Sequence, residues 1–374
     1  TKLVTQHLFL RKEIIFMSLL DCIKREKRLN KAIIDNRKNN TADLINACKE
    51  REINEIVFVG SGTSNTSSIT AYQIVEKFSG ISSITILPNL FMNKTVYNKK
   101  ALYVFVSQTG SSNLTQKAIE KMKELGCLTV AISESSTTKI AKIADIFVDM
   151  GCEFEEYGMR TIGYTSTVLT EMMIGLELGK ARNYLSDEFY NKYVNEAYKA
   201  VDNLDYIIDE TNLWFTKEKE DLNKSQSFII LGPKSLYGVA LEGALKIFEI
   251  DKRFTAVGFE LDDGLHGPNM GMKASDSIIV LSDGVSDMNL VHGISKYIKN
   301  EVGNAYIIGK GTLDDKDFNF NFVSENFISL EFAPIVQVIA YRLAVDFGIE
   351  VPLFKDMYLP DQKYFNTHTE HLGK

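Results

Sequence analysis

Residue types that carry metal and redox chemistry are scarce in this chain. It has four cysteines, Cys22, Cys48, Cys127 and Cys152, and no CxxC pair among them. A chain of 374 residues does not need disulfide staples, so reduced thiols in a cytoplasmic protein are expected. Five histidines fall in neither HExxH nor HxH spacing, so no metal site is expected, and nothing calls for a cofactor. No run approaches the ~18 apolar residues needed to cross a bilayer, so no membrane partner is expected. There is also no cluster of like charge. The 42 Lys and Arg against 49 Asp and Glu leave a net charge of −7, which argues against nucleic acid as a partner.

What remains is ordinary for a globular protein: 45% hydrophobic and 24% charged residues. At ~100–200 residues per domain, the length suits two domains. Residues 1–16 lack the apolar core and cleavage site of a secretory signal. A helical pattern begins cleanly at Met17, with Leu19, Leu20 and Ile23 on one face. Met17 is therefore expected as the natural start of translation.

From Glu55 short β-rich runs alternate with amphipathic stretches. The pattern predicts strands at Ile56–Val59, Ser83–Leu87, Leu102–Val106, Cys127–Ile132 and Ile146–Val148. Helices are expected at Ser64–Lys77, Asn113–Glu124 and Lys139–Ile143. Continuous apolar runs between helices are the mark of parallel strands covered on both faces. A long helical region, Ser166 to about Thr216, follows. The alternation then restarts, with strands at Phe228–Leu231, Ser277–Leu281, Ala305–Ile308 and Phe327–Leu330. Helices are expected at Leu236–Ile250, Asp287–Lys299 and Pro334–Phe347.

The two halves match element by element. VFVGSGTSN at Val57 answers IILGPKSLY at Ile229, and YVFVSQTGSS at Tyr103 answers IIVLSDGVSD at Ile278. Gly60 and Gly232 are 172 residues apart, Ser107 and Ser282 175. So constant an offset indicates a duplicated α/β unit. The expected fold is α/β, with two tandem doubly wound parallel-sheet domains of three layers. The expected division is an N-terminal helical segment at 1–45, domains at 46–200 and 201–350, and a tail at 351–374.

In open parallel sheets, ligands bind beyond the carboxyl ends of the strands, near helix N-termini. The first such turn, Gly60-Ser61-Gly62-Thr63-Ser64-Asn65, begins like GxGxxG but lacks the third glycine, and no acidic residue ends the next strand. A dinucleotide is therefore disfavoured, and without GK[ST] there is no nucleotide P-loop. Hydroxyls instead crowd two strand ends: Ser61, Thr63 and Ser64 after the first, Ser107, Thr109, Ser111 and Ser112 after the third. Either cluster alone reads as helix capping. Together they point to an anion such as a phosphate monoester.

SGTSNTS and SQTGSSNLT resemble the paired phosphosugar-binding segments of the sugar isomerase (SIS) family. EGALKIFEI (Glu242–Ile250) with LHGPN (Leu265–Asn269) resembles the second SIS half of the glucosamine-6-phosphate synthase group and the related deglycases and deaminases. The resemblance implies two tandem SIS domains. It implies that Ser107, Gln108, Thr109 and Ser112 hold the phosphate, with Ser61, Gly62, Thr63 and Ser64 flanking the sugar. Glu249 would be the base that moves a proton between C1 and C2. His266 would assist ring opening, reaching the site of a neighbouring subunit in a homodimer or larger homo-oligomer. Ser111 stands where the family commonly has glutamate. The C-terminal Schiff-base lysine has no clear counterpart; Lys363, His368 and a simple gap are the alternatives.

The residues themselves leave Glu249 open. Leu241, Ala244, Leu245 and Phe248 form an apolar stripe, while Glu242, Lys246 and Glu249 share another face, as in a solvated salt-bridge ladder. Glu249 lies in the last helical turn, where the helix dipole disfavours negative charge, a trait that suits a general base. His266 sits between turn residues that fix its backbone. The stretch around EEYGMRT is expected to line the sugar, with no step assigned.

The function these expectations converge on is enzymatic release of an amine from an amino-sugar phosphate or a sugar–amine phosphate conjugate, by deglycase or deaminase chemistry. The alternatives are an isomerase-domain homologue of the glutamine-dependent aminotransferase and a non-catalytic phosphosugar-binding regulator. With the first strand near residue 56, no glutaminase domain is expected ahead of it, and no helix-turn-helix is expected before Glu55.

Overall fold

The computed structural model describes residues 18–354 and 364–368. The leader, Met17, Lys363 and His371 lie outside the described residues. Ser18 opens the first helix with a capping box: its hydroxyl accepts the Asp21 amide at 3.2 Å, and the Asp21 carboxylate accepts the Ser18 amide at 2.7 Å.

The first half runs α1 (Leu19–Asn40), α2 (Ala42–Lys49), β1 (Glu55–Val59), α3 (Thr63–Ser79), β2 (Ser82–Ile86), α4 (Pro88–Met92), β3 (Ala101–Val106), α5 (Asn113–Glu124), β4 (Leu128–Ser133), α6 (Lys139–Ile143) and β5 (Ile146–Asp149). Three long helices follow: α7 (Ile162–Ala181), α8 (Asp187–Asp202) and α9 (Leu204–Lys224). The second half runs β6 (Ser227–Gly232), α10 (Ser235–Ile250), β7 (Thr255–Glu260), α11 (Leu261–Leu265), β8 (Asp276–Ser282), α12 (Met288–Tyr297), β9 (Asn304–Gly309) and α13 (Ile328–Asp346).

Two parallel sheets result, ordered β2-β1-β3-β4-β5 and β7-β6-β8-β9. The first four strands of each half share one order, as the constant offset in sequence requires. Side chains alternate across each strand. Ile56 and Phe58 face a core built with α3 and α7, whereas Val57 and Val59 face one built with α5. Sheet two is covered likewise: Phe228 and Ile230 pack with α10 and α13, Ile278 and Val280 with α12. Both halves are therefore three-layered.

Two expectations are corrected. Phe327–Leu330 is not a strand; helix α13 starts at Ile328 and carries Pro334 in its interior. Because α13 is buried on nearly all sides, its apolar run shows no amphipathic period, and Pro334 read as a helix start. In addition β7, which the pattern did not predict, occupies the edge of sheet two. Gly258 and alternating exposure make it a weak strand signal. Helix α13 is long and apolar enough to cross a membrane by length and composition, but it lies in the core.

Candidate functional site

Strands β1 and β3 are neighbours whose connections leave in opposite directions, so a crevice opens between their carboxyl ends. The β1–α3 turn bends at Gly62 (φ 56°, ψ −131°), a conformation that favours glycine, and delivers Thr63 and Ser64 to the start of α3. The β3–α5 loop runs from Ser107 to Ser112. Its Ser107 amide is anchored on the Ile132 carbonyl at 3.1 Å, and its Thr109 and Ser111 hydroxyls are 2.8 Å apart. Helix α5 has no side-chain cap, and Thr115 Oγ1 donates to Ser112 Oγ at 3.0 Å. Together the two turns form a rim of hydroxyls and helix-start amides suited to an anion.

Above that rim is a cleft of about 600 Å³. Ser61, Gly62, Thr63 and Ser64 line one side and Ser107, Gln108, Thr109 and Ser112 another. Glu249, from the second half, stands on the same wall, so the structure brings nine of the ten candidate residues together. His266 is the exception. It lies outside the cleft, its side chain 73% exposed, with Nε2 3.4 Å from the Asp262 carboxylate. Among the described residues, the charged side chains lining the cleft are those of Lys117, Arg160, Lys246 and Glu249.

The solvated ladder on α10 is not what the fold makes of Glu242, Lys246 and Glu249. Helix α10 packs tightly on α3 at Gly238, where a Cβ would come within 2.0 Å of Thr70 Oγ1. That close approach seals the polar face. Glu242 and Lys246 are buried, and only Glu249 keeps an exposed edge, with 30% of its side chain accessible. Lys246 Nζ reaches Glu249 Oε2 at 2.9 Å, Thr63 Oγ1 at 3.2 Å and Glu242 Oε1 at 3.4 Å, one partner for each of its protons. Glu242 also accepts the hydroxyls of Thr66 and, at 3.2 Å, Thr63. Burial opposes the Lys246 charge, but Glu242 and Glu249 outweigh it and hold the ammonium above its ordinary range. A buried cation thus pins one oxygen of a half-exposed carboxylate at the cleft wall.

Two further walls complete the cleft, one from the EEYGMRT stretch and one from the C-terminal segment. Glu155, fully buried, turns Oε1 onto the Thr161 amide (2.7 Å) and hydroxyl (2.5 Å) at the start of α7. This folds the 155–161 segment so that Gly158 and Arg160 face the cleft. Asn366, Thr367 and His368 close the other side. There the Asn113 amide donates to the Thr367 carbonyl at 3.0 Å, and His368 pairs with Ser112 in an isolated antiparallel bridge. Burial holds the His368 imidazole below its ordinary pKa. Of the two residues named for the C-terminal position, His368 is at the cleft and Lys363 lies outside the described residues. For Lys246 a signal existed, a lone lysine in an otherwise apolar helix three residues before Glu249. For Arg160 there was none beyond its neighbourhood.

Comparison with known proteins agrees with this geometry. Residues 51–176 match the SIS domain model, a span that contains both hydroxyl-rich turns. Glutamine–fructose-6-phosphate aminotransferase (isomerizing) 1 of Arabidopsis thaliana is 30% identical over 224 residues, covering 58% of this chain and 32% of that protein. The aminotransferase of Caldanaerobacter subterraneus is 23% identical over 83% of this chain and 52% of its own length. The chain thus spans between about a third and a half of these relatives' length. Among solved structures, a candidate phosphosugar isomerase from Clostridium difficile 630 superposes with TM-score 0.83 at 24% identity, covering 94% of this chain and 99% of that one. Glucosamine-6-phosphate deaminase from Thermotoga maritima superposes with TM-score 0.67 at 19% identity, covering 87% and 96%. At such identities the structural likeness shows the fold. Residues 51–176 therefore match a SIS domain, and that span carries the hydroxyl-lined crevice.

Proposed function

We propose that this chain is a phosphosugar enzyme that releases an amine from a 6-phosphorylated amino sugar or sugar–amine conjugate. The observation that carries the reading is the position of Glu249. Its carboxylate faces the cleft that the Ser107–Ser112 and Ser61–Ser64 turns enter, and it is pinned from behind by Lys246. In this reading the first half docks the phosphate, and the second, a further SIS-type domain, supplies the base.

The chemistry follows from that arrangement. With the phosphate held at the turns, the open-chain sugar extends towards Glu249. For a phosphoketosamine, Glu249 takes the proton from C1, and the electron pair moves through C1–C2 onto the C2 carbonyl oxygen, which is protonated to give an enolamine. Return of a proton to C2 gives an imine at C1. Water then cleaves the C=N bond to aldose 6-phosphate and free amine. Glucosamine 6-phosphate runs the same sequence with the carbons exchanged, proton off C2 and onto C1, and yields fructose 6-phosphate and ammonia. Lys246 keeps Oε2 occupied, so Oε1 of Glu249 is the oxygen turned to the substrate. His266, on the exposed α11 end, would act on the ring oxygen in the cleft of a partner subunit.

The test is a panel of phosphosugar amines scored for amine release, with wild type beside Glu249→Gln. The variant should bind the phosphosugar but lose turnover by ~10²–10⁴-fold, the usual cost of removing a general base. Unchanged turnover refutes the assignment. Interconversion of aldose and ketose phosphates without amine release selects the isomerase alternative, favoured by the aminotransferase relatives. Phosphosugar binding with no turnover of any panel member selects a regulator.

A further inference from the structure

Helix α1 carries a carboxyl that the cleft chemistry does not use. Glu26 is 1% exposed, and neither of its oxygens has a hydrogen-bond partner among the described residues. It lies where α1 packs on α7 and α13, beside Thr165 of α7 and Gln337 of α13. Tyr164 of α7 also faces it, with its hydroxyl 2.7 Å from that of Thr70. The charges in its surroundings are the fully buried carboxyls of Glu155 and Glu242, and the cations Lys246 and Arg160 act on Glu155.

From Gln337 a chain of bonds leads to the cleft. Its Nε2 donates to the Thr161 carbonyl at 3.1 Å, while its buried Oε1 has no donor among the described residues. Glu155 Oε1 holds the Thr161 amide and hydroxyl, and the Glu155 carbonyl accepts Arg160 Nη1 at 2.9 Å. Glu155 Oε2 is likewise buried without a donor. Three side chains thus bring oxygen acceptors together in the interior with too few donors. Unpaired buried oxygens are costly, and a second buried carboxylate near Glu155 is costlier still. One proton relieves both, since a neutral carboxyl has an O–H to give as well as an oxygen that accepts. Burial raises both carboxyls, but at Glu155 the Thr161 donors, Arg160 and Lys246 oppose it. At Glu26 burial and then the Glu155 charge prevail over Gln337 and Thr165, and hold the carboxyl well above its ordinary range.

We propose that Glu26 is a positioning residue held as a neutral acid, its proton joining α1 and α13 to the start of α7. Through Gln337 and Thr161 it keeps the 155–161 wall, and with it Gly158 and Arg160, at the cleft. A carboxyl raised by folding gives its full stabilisation at low pH and loses it as pH rises through the folded titration. Rising pH therefore loosens the wall. This role stands apart from the amine-releasing reading and holds whichever reaction the cleft performs.

The experiment begins without substrate. Infrared difference spectra of wild type against Glu26→Gln at neutral pH should show the carbonyl stretch of a protonated carboxyl in wild type alone. Amide hydrogen exchange of the 155–161 segment, corrected for the intrinsic effect of pH, is then followed from mildly acid to alkaline pH. In wild type the protection should fall by about tenfold per pH unit until the folded carboxyl titrates. In Glu26→Gln, whose amide is a permanent donor, it should stay level. Glu26→Leu, neutral but without a donor, should lose protection at every pH. Absence of the infrared band overturns the proposal, because Glu26 would then be a buried carboxylate. So does a wild type as level as Glu26→Gln, or a Glu26→Leu protein with the wall fully protected. Calorimetry with glucosamine 6-phosphate gives the functional readout. Wild-type affinity should fall along with protection, and an affinity that holds while protection falls overturns the positioning role. Failure of the phosphosugar reading has a different signature: neither protein would bind, while the infrared and exchange results would stand.

Discussion

Replacing Lys246 with methionine keeps the length of the side chain and removes the only cation in contact with Glu242 among the described residues. Glu242 is 0% exposed and its remaining partners, Thr63 and Thr66, are neutral. Breaking a buried pair from one side costs about 3–5 kcal/mol, because the surviving charge has no water to return to. In a chain of this size that corresponds to a fall in Tm of roughly 4–6 °C.

The sign with pH can be worked out. Without Lys246, burial raises the Glu242 carboxyl in the folded state above its unfolded value of about 4.3. A group raised in this way contributes its stability fully below the unfolded pKa and loses it as pH rises through the folded one. Urea unfolding of Lys246→Met should therefore show a small penalty near about pH 4.5 and the full penalty near about pH 8. Adding Glu242→Gln should restore most of the loss at the higher pH, since two neutral groups replace a broken ion pair. A single variant within about 1 kcal/mol of wild type at the higher pH would falsify the account, given the usual 3–5 for a buried pair. A double variant no more stable than the single would do the same.

Three other outcomes follow from particular residues. Half two should not bind phosphosugar at its strand ends, because Asp283 already fills the β8 turn. Its carboxylate accepts the Val285 amide at 2.9 Å, the Ser286 amide at 2.6 Å and the Ser286 hydroxyl at 2.5 Å. Burial opposes the Asp283 charge, yet those bonds outweigh it and hold the carboxyl below its ordinary range. Calorimetry should find one site per chain, lost in the Ser107→Ala/Ser112→Ala double variant and kept in Ser282→Ala; two equivalent sites would contradict this. Lys234 occupies the position that Gly62 occupies in half one, at φ 51° and ψ −129°, so Lys234→Gly should raise stability by about 1 kcal/mol, read as a higher Tm. No gain would mean that the turn is unstrained. Mixing inactive Glu249→Gln with inactive His266→Ala subunits should restore part of the activity if His266 acts across subunits. A fully active monomer in ultracentrifugation would end that idea.

What the sequence determined by itself is what neighbouring residues can settle. Helix α5 lies at Asn113–Glu124 and α6 at Lys139–Ile143, the ranges their local pattern predicts. Apolar runs set between helices identified the parallel strands, and the repeated offset identified the duplication. The two serine- and threonine-rich turns were legible for the same reason, since strand, turn and helix start are consecutive in the chain. Signals failed where burial, not periodicity, decides the conformation: α13 is apolar almost all round, and β7 is an edge strand weakened by Gly258.

Only the tertiary structure decided whether the acidic face of α10 is a surface or an interior. The spacing of Glu242, Lys246 and Glu249 is the same in either case. The outcome depends on α3, some 170 residues earlier in the chain, meeting α10 at Gly238 and closing water out of the contact. Arg160 belongs to the same class. Its isolated position carries no pattern, and its burial beside Phe354, with Nη2 unpaired among the described residues, arises from the packing of a turn against the C-terminal segment. A side chain's charge is written in the sequence, but the desolvation that gives the charge its chemistry depends on which distant surface comes to lie against it.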